Sequence, residues 1–332
     1  MGISTGRGLY VDALLSDVAI NFAPQAFIAD QICPIIPVQK ESGGYPVFNM
    51  GEAFSVEDTV RSRGTRAKSV TRSVGTATYQ VRNFALRYDT PIEDRANIDP
   101  AFAYELGDAG AARYLVSKLA LDMEKRVLTL ADASASVSSV FVPSSSWAGN
   151  TSNAGDPVKA FAAIAEQMKN TVGVFPNGVI AGWKTHNTLR YNYHMRNYVK
   201  GAQNGGGLVT RQQIADIFEV PYYNVAGAQY NSGNEVGNTV GATPTLTSAF
   251  GADNFIAYYR PTTASRDEPS WMYAFNWISS DLPGRMVVER HPYDSHTKVD
   301  AIECGYYQIE KVVGAGWAMK IAGVNSAQSN GV

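Results

Sequence analysis

A chain of 332 residues with 45% hydrophobic content is long enough for two or three compact units and a sizeable core. A net charge of −2 excludes a general attraction to nucleic acid, and a charged fraction of only 17% suits surface covered by self-association. No run approaches the roughly 18 apolar residues of a membrane span. The first residues lack the apolar stretch of a secretion signal, and Cys33 and Cys304 have no metal-ligand spacing, so both read as buried thiols in a reducing compartment.

Residues 1–45 do not read as a domain. Leu9, Val11, Leu14, Leu15, Val18, Ile20 and Phe22 are apolar among glycines and prolines, and 26–36 is apolar again until Pro34 and Pro37 stop any helix. Such a segment must pack on its own chain or reach across to a neighbour. Tyr45, Val47 and Phe48 then predict a strand, and alternation from Thr76 to Tyr88 predicts a second. Between them, 52–75 is polar with few apolar anchors, which makes a long flap with little core of its own. From Thr59 to Tyr88 there are seven basic residues (Arg61, Arg63, Arg66, Lys68, Arg72, Arg82, Arg87) and no acidic one. Such a run needs solvent, anions or acidic partners. Nucleic acid is one answer, but stacking aromatics are almost absent; acidic groups on a second copy fit equally well.

Asp99 as N-cap, Pro100 at N1 and apolar residues at Phe102, Leu106, Ala109, Val116, Leu119, Met123, Val127 and Leu130 predict one helix over 99–132, roughly 45–50 Å long. Residues 133–154 read as loop with a short strand at 140–142. Asp156, Pro157 and Gly173 bracket a helix with Phe161, Ile164, Ala165, Met168 and Val172 on one face. A buried strand at 178–181, a helix over 184–193 and a glycine-rich loop at 201–207 follow. A Thr210/Gln213 capping box then opens a helix to Glu219. Strands are expected at 222–226 and 255–259, separated by loop at 230–253, which together read as a small α/β unit. Strands at 271–277, 285–292, 299–312 and 317–322 can cover one side of the long helix.

Catalytic signatures are missing: there is no nucleophile elbow, phosphate loop, HExxH or CxxC. His291, Asp294 and His296 could supply three metal ligands, but they sit at a strand turn beside Pro292, where Asp and His are common for backbone reasons. His186 and His194 read as surface or tip residues. Glu93/Asp94 and Asp267/Glu268 are adjacent pairs that point apart. No nucleophile–base pair emerges, so no catalytic residue, cofactor or metal ligand is nominated.

The order of apolar arm, flap, long helix, α/β unit and late strands resembles the major capsid proteins of tailed double-stranded DNA phages, with the HK97-like fold. Ala29-Asp30-Gln31-Ile32-Cys33-Pro34-Ile35-Ile36-Pro37-Val38 resembles the arm motif of one such group, and Gly44-Tyr45-Pro46-Val47-Phe48 its flap opening. Tyr88-Asp89-Thr90-Pro91-Ile92-Glu93-Asp94-Arg95-Ala96-Asn97 resembles the junction into the long helix. Pro176-Asn177-Gly178-Val179-Ile180-Ala181-Gly182 resembles an internal strand. The resemblance implies an α+β fold with an N-terminal arm (1–45), an extended E-loop hairpin (46–88) and a P-domain (89–155) holding the spine helix 99–132. It further implies an α/β A-domain (156–264), return strands of the P-domain (265–312) and a C-terminal A-domain segment (313–332). The implied function is structural, not enzymatic: self-assembly into pentamers and hexamers of an icosahedral shell around double-stranded DNA, in a virion assembled in the host cytoplasm.

Implied partners are further copies of the chain, a separate scaffolding protein or else a cleaved prefix left out here (since the sequence opens at the arm), a portal and a decoration protein, with no membrane. Arg61, Arg63, Arg66, Lys68 and Arg72 become the expected inter-subunit contacts of the E-loop. Some members cross-link a flap lysine, for which Lys68 would be the residue, but no acidic and asparagine partners stand out. Alternative readings are a shell of the same fold around a protein cargo, a metal-dependent enzyme using His291, Asp294 and His296, or a nucleic-acid binder using the flap.

Overall fold

The computed structural model describes residues 3–5, 9–11, 27–48, 52, 54–71, 73–97, 107–200, 207–233, 245–266, 268–279, 285–294, 296 and 298–326. In chain order, strands β1 (Ile3–Thr5) and β2 (Leu9–Val11) precede helix α1 (Ala29–Ile32), β3 (Ile35–Val38) and the ribbon strands β4 (Ser42–Phe48) and β5 (Val74–Gln80). Next come β6 (Arg82–Pro91), α2 (Ile92–Ala96), the long helix α3 (Asp108–Asp132) and β7 (Val140–Phe141). The α/β unit holds α4 (Pro157–Val172), β8 (Gly178–Gly182), α5 (Trp183–Tyr191), α6 (Tyr193–Lys200), α7 (Arg211–Phe218), β9 (Tyr222–Ala226), β10 (Gln229–Asn231), β11 (Leu246–Ser248) and β12 (Phe255–Tyr258). Strands β13 (Met272–Trp277), β14 (Val287–Asp294), β15 (Val299–Val312) and β16 (Ala318–Ile321) follow.

One sheet has the order β1-β2-β14-β15-β13-β3, with β6 also paired to β15. Strand β15 is its seam, registering with β14, β13 and ten residues of β6. Its side chains alternate, and Ile302, Cys304 and Tyr306 face inward. Ala111, Ala112, Leu115, Val116 and Leu119 of α3 pack on them with Met286 and Val288. The second sheet has the order β7-β16-β12-β8-β9 and contains strands buried along their whole length, β8, β12 and β16. Helix α4 covers it through Phe161, Ile164, Ala165, Met168 and Val172. The distal half of α3 joins that core through Met123, Val127, Leu128 and Ala131.

Local chemistry explains the helix ends. Asp156 accepts from the Val158 and Lys159 amides, and Gly173 closes α4 in the left-handed region (φ 78°). Thr210 and Gln213 form the expected capping box. At the end of α3, the buried Lys320 donates to the Asp132 carbonyl (2.6 Å) and carboxylate (2.8 Å), meeting the unpaired oxygens of the last turn.

Several expectations change. The spine helix begins at Asp108, because Gly107 is extended (ψ −176°); the proposed cap at Asp99 and Pro100, with Phe102 and Leu106, lies outside the described residues. At 25 residues it is about 37 Å long. The single strand expected from Thr76 to Tyr88 divides at Val81, whose buried side chain and amide bond to the Glu41 carbonyl (2.9 Å) end the ribbon. Only β5 belongs to the flap; β6 enters the large sheet. The helix expected over 184–193 is two helices, since Asn192 is extended and its carboxamide oxygen caps α6 through the His194 and Met195 amides. Part of the expected loop 230–253 is an antiparallel pair, β10 with β11; 201–206 and 234–244 lie outside the described residues.

The described arm packs on its own chain. Ile28, Ala29, Ile32 and Cys33 enter the main core, β3 pairs parallel with β13, and β2 pairs with β14. Leu14, Leu15, Val18, Ile20 and Phe22 lie outside the described residues. Truncating Leu128, which is fully buried where α3 crosses into the larger core, should lower unfolding free energy by about 2–5 kcal/mol. Denaturant unfolding of Leu128→Ala tests this.

Candidate functional site: the flap and its anchor

The flap has a firm base. Strands β4 and β5 pair from Ser42↔Gln80 to Phe48↔Val74. Tyr45 and Tyr79 stack on Phe275 of β13 with centroids 5.3 and 4.6 Å away. Ile36, Val38, Val81 and Tyr273 complete this small core, and Arg266 donates to the Gly44 carbonyl (2.7 Å).

Beyond the base the two legs are held by a few polar ties. Glu52 accepts from the Ser73 amide (2.8 Å), Lys68 Nζ meets Asp58 Oδ2 (2.9 Å), and Arg61 Nε donates to the Thr65 carbonyl (2.6 Å). The tip turns at Ser62–Thr65, where Gly64 takes a positive φ of 79°. Phe54 lies over the end of α4: a Cβ on Gly173 would stand 2.1 Å from the ring, so the turn also makes room for it.

Arg61, Arg63, Arg66 and Lys68 are all exposed, while Arg72 lies outside the described residues. Arg61, Arg63 and Arg66 have no ion-pair partner among the described residues. Lys68 does, and its hydrogen bond holds Asp58 below the usual carboxylate range. Asp58 precedes the acid-free run by one residue, so this pairing needed the loop geometry to be seen. Sequence reasoning also passed over the exposed valines 56, 60 and 70, which stand apart in sequence without strand-like neighbours.

The structure places the other candidates apart from the flap. His291 Nε2 is 2.8 Å from Glu303 Oε2, and the ladder shifts register between His291 and Asp294. Among the described residues no group of three His, Cys, Asp or Glu side chains could hold a metal. Glu289 faces Glu303 across the ladder; burial and that like charge raise it above the usual carboxylate range. His186 is buried, not at a tip. Its Nδ1 meets the Tyr223 hydroxyl (2.9 Å), and burial, with Arg190 and Arg211 nearby, pushes it down to about 4. His194 Nε2 meets the Ala154 carbonyl at 3.0 Å. Both cysteines are free and buried, and burial pushes Cys304 up to about 12. A cleft of ≈ 760 Å³ between α7 and the β9 edge contains Arg211, Asp216, Glu219 and Tyr223, but Arg211 is engaged with the Tyr223 carbonyl (2.6 Å). No described helix is long and apolar enough to cross a membrane.

Two polar devices fix the body that carries the flap. Arg95 and Arg290 both bridge Asp108 and Asp300, tying the start of α3 to α2, β14 and β15. Arg290, with Arg95 beside it, holds Asp300 below the usual range. The second device is Glu124, fully buried on α3, whose carboxyl accepts from the Ile28 and Ala29 amides at the start of α1 (2.7–3.1 Å). Burial pushes Glu124 up to about 7, against those hydrogen bonds and with Asp30 adding repulsion.

A carboxyl raised in the folded state keeps a proton that the unfolded chain has lost. Its contribution therefore favours folding below its ordinary value of 4.5 and is lost as pH rises through about 7. Across that window the native chain should lose up to about 3 kcal/mol more stability than Glu124→Gln. Parallel denaturant titrations of the two proteins between these pH values would check it; identical slopes would contradict it.

No protein-family model matches the chain. A curated relative, the major capsid protein of Burkholderia phage BcepMu, is 26% identical over 231 residues, covering 66% of this chain and 70% of its own. The major capsid protein of Pseudomonas phage JBD67 is 23% identical over 273 residues, covering 80% and 83%. Among solved structures, a phage-related protein from Bordetella bronchiseptica superposes with a TM-score of 0.70 at 20% identity, covering 95% of this chain and 97% of its own. The capsid of cyanophage P-SCSP1u matches with a TM-score of 0.59 at 13% identity over 98% and 93%. A virus-like particle from Pyrococcus furiosus matches at 0.52, with 10% identity over 92% and 95%. The chain has the α+β, HK97-like fold of phage capsid proteins.

Proposed function

We propose that this chain is a phage major capsid subunit that self-assembles, through pentamers and hexamers, into an icosahedral shell around packaged double-stranded DNA. The observation that carries this reading is a flap projecting from a well-packed body of capsid fold, with its basic residues exposed. Its role is structural. The partners are further copies of the chain, a scaffolding protein, a portal and a decoration protein, with DNA on the inner surface. The product is a virion capsid assembled in the host cytoplasm.

In this reading Arg61, Arg63, Arg66, Lys68 and Arg72 meet acidic groups on the adjacent subunit. Each exposed contact is weak, but every subunit makes and receives one, so closure multiplies modest interactions. A shell around a protein cargo is the second reading, favoured by the likeness to the virus-like particle; the contents of purified shells separate the two.

Electron microscopy with light scattering on the full chain, with and without its scaffolding protein, is the direct test. Closed shells or rings of five and six are expected; a monomer under every condition would overturn the reading. Reversing Arg61, Arg63 and Arg66 together to glutamate should leave the monomer folded. It should raise the concentration needed for assembly about tenfold or more, equivalent to about 1.4 kcal/mol per subunit contact. Normal shells at the parent concentration would count against the arginine contacts.

A further inference from the structure

We propose that the arm segment 27–33 is a proton-gated latch: protonated Glu124 holds it shut against helix α3, and ionisation of that carboxyl lets it open. The inference concerns the folded chain itself and stands whether or not the chain forms shells.

The geometry isolates one segment and one group. Glu124 is fully buried on α3, and its carboxyl accepts from the Ile28 and Ala29 amides of the arm (2.7–3.1 Å). Among the described residues it forms no ion pair, because the charged groups around it are engaged elsewhere. On the arm, Asp30 pairs with Arg285 (2.9 Å), which stands just before β14 and also meets Met123 Sδ (2.9 Å). Arg126, two residues along α3, is bound to Asp122 and to Glu310 of β15 (3.1 Å). Cys33 is the other titratable group of the segment, and burial, with Glu310 and Asp30 adding to it, holds its thiol well above the usual range. No cation therefore neutralises a carboxylate at Glu124, and the charge acting on it, that of Asp30, is of like sign.

The two protonation states ask for different surroundings. A carboxylate buried without a counter-charge is costly, and contact with water relieves it. Moving the arm admits water without dismantling either sheet. The segment ends at Pro34, whose carbonyl bonds to the Ala274 amide (3.0 Å), and β3 beyond it is laddered to β13. That pairing, with Ile36 and Val38 in the flap-base core, keeps the chain tethered while α1 lifts. What α1 gives up is the contact of Ile28, Ala29, Ile32 and Cys33 with the main core, the Asp30–Arg285 pair and the Arg260 bond to the Gln31 carbonyl.

Linkage gives the sign. With the arm closed, burial pushes Glu124 up to about 7; with the arm open it returns to its ordinary 4.5. Below 4.5 both forms are protonated and opening is rarest. Between the two values only the open form is ionised, so opening grows about tenfold per pH unit, and about 300-fold in all before it levels off. The stability lost with rising pH is thus first felt as opening of one segment, with both sheets still folded.

Amide hydrogen exchange on the full-length parent and on Glu124→Gln tests this, read at the Ile32 and Cys33 amides, which bond to the Ile28 and Ala29 carbonyls within the segment. Dividing the parent's rate by the variant's at each pH cancels the intrinsic pH dependence of exchange. The ratio should rise at least about tenfold between about pH 5 and about pH 8. A flat ratio overturns the latch.

A second readout needs no variant. Both cysteines are buried, Cys33 on the arm and Cys304 in the smaller core beneath the first half of α3. Pulsed alkylation of the parent with peptide mapping should modify Cys33 at least about tenfold faster than Cys304, because the latch opens without unfolding the chain. Equal rates at the two thiols would mean that only global unfolding exposes the arm, and would overturn the proposal.

Discussion

The structure depends on helix α3 being buried by two different partners along its length. Its first half lies on the sheet of β6, β14 and β15; its second half belongs to the core beneath the five-stranded sheet. A straight helix resists bending, so the two sheets cannot move independently without breaking one of those packings. Both ends are pinned by charge, Asp108 by Arg95 and Arg290, and Asp132 by Lys320 and Asn254. Along its flank, Arg126 reaches Glu310 and Tyr306 and lies over Phe84 at 3.7 Å, adding a polar tie to the apolar seam. A helix of 25 residues held this way provides a frame on which arm and flap can be set.

Stability is distributed unevenly on that frame. The arm residues around α1 are placed in the main core and clamped by the buried Glu124 carboxyl, with Asp30 paired to Arg285 outside it. The flap base shares a core with β13, but the described residues of the distal legs belong to no core cluster. Local stability falls with the loss of buried contacts, so the distal legs depend on their few polar ties rather than on packing. That division would suit the shell subunit proposed above, whose body must survive while its contacts form and exchange.

The likeness to capsid proteins survives at 10–26% identity. Such divergence is tolerable because the fold needs apolar residues of suitable size in a two-sheet and long-helix pattern, not particular side chains. Fold alone does not name a function. Here the reactive candidates are each absorbed structurally: His186 by Tyr223, His291 by Glu303 and Arg211 by a backbone carbonyl. What remains without a structural employment is the flap.

The sequence by itself determined the elements whose signals are local. Asp156-Pro157 with Gly173 bounded α4, Thr210 and Gln213 opened α7, and period-two alternation marked β15, because caps and pleats act over a few residues. The order of these elements was enough to suggest the fold. Tertiary structure decided the rest. Continuous alternation from Thr76 to Tyr88 could not show that Val81 divides it between two sheets, since partner choice is a long-range pairing. Periodicity before residue 108 could not reveal the extended Gly107. Nothing near Glu124 in the chain announced that it would cap a helix 95 residues earlier, nor could His186 be placed indoors before Tyr223 was brought beside it. In each case the deciding atoms are far apart in sequence, and only the packed chain brings them into contact.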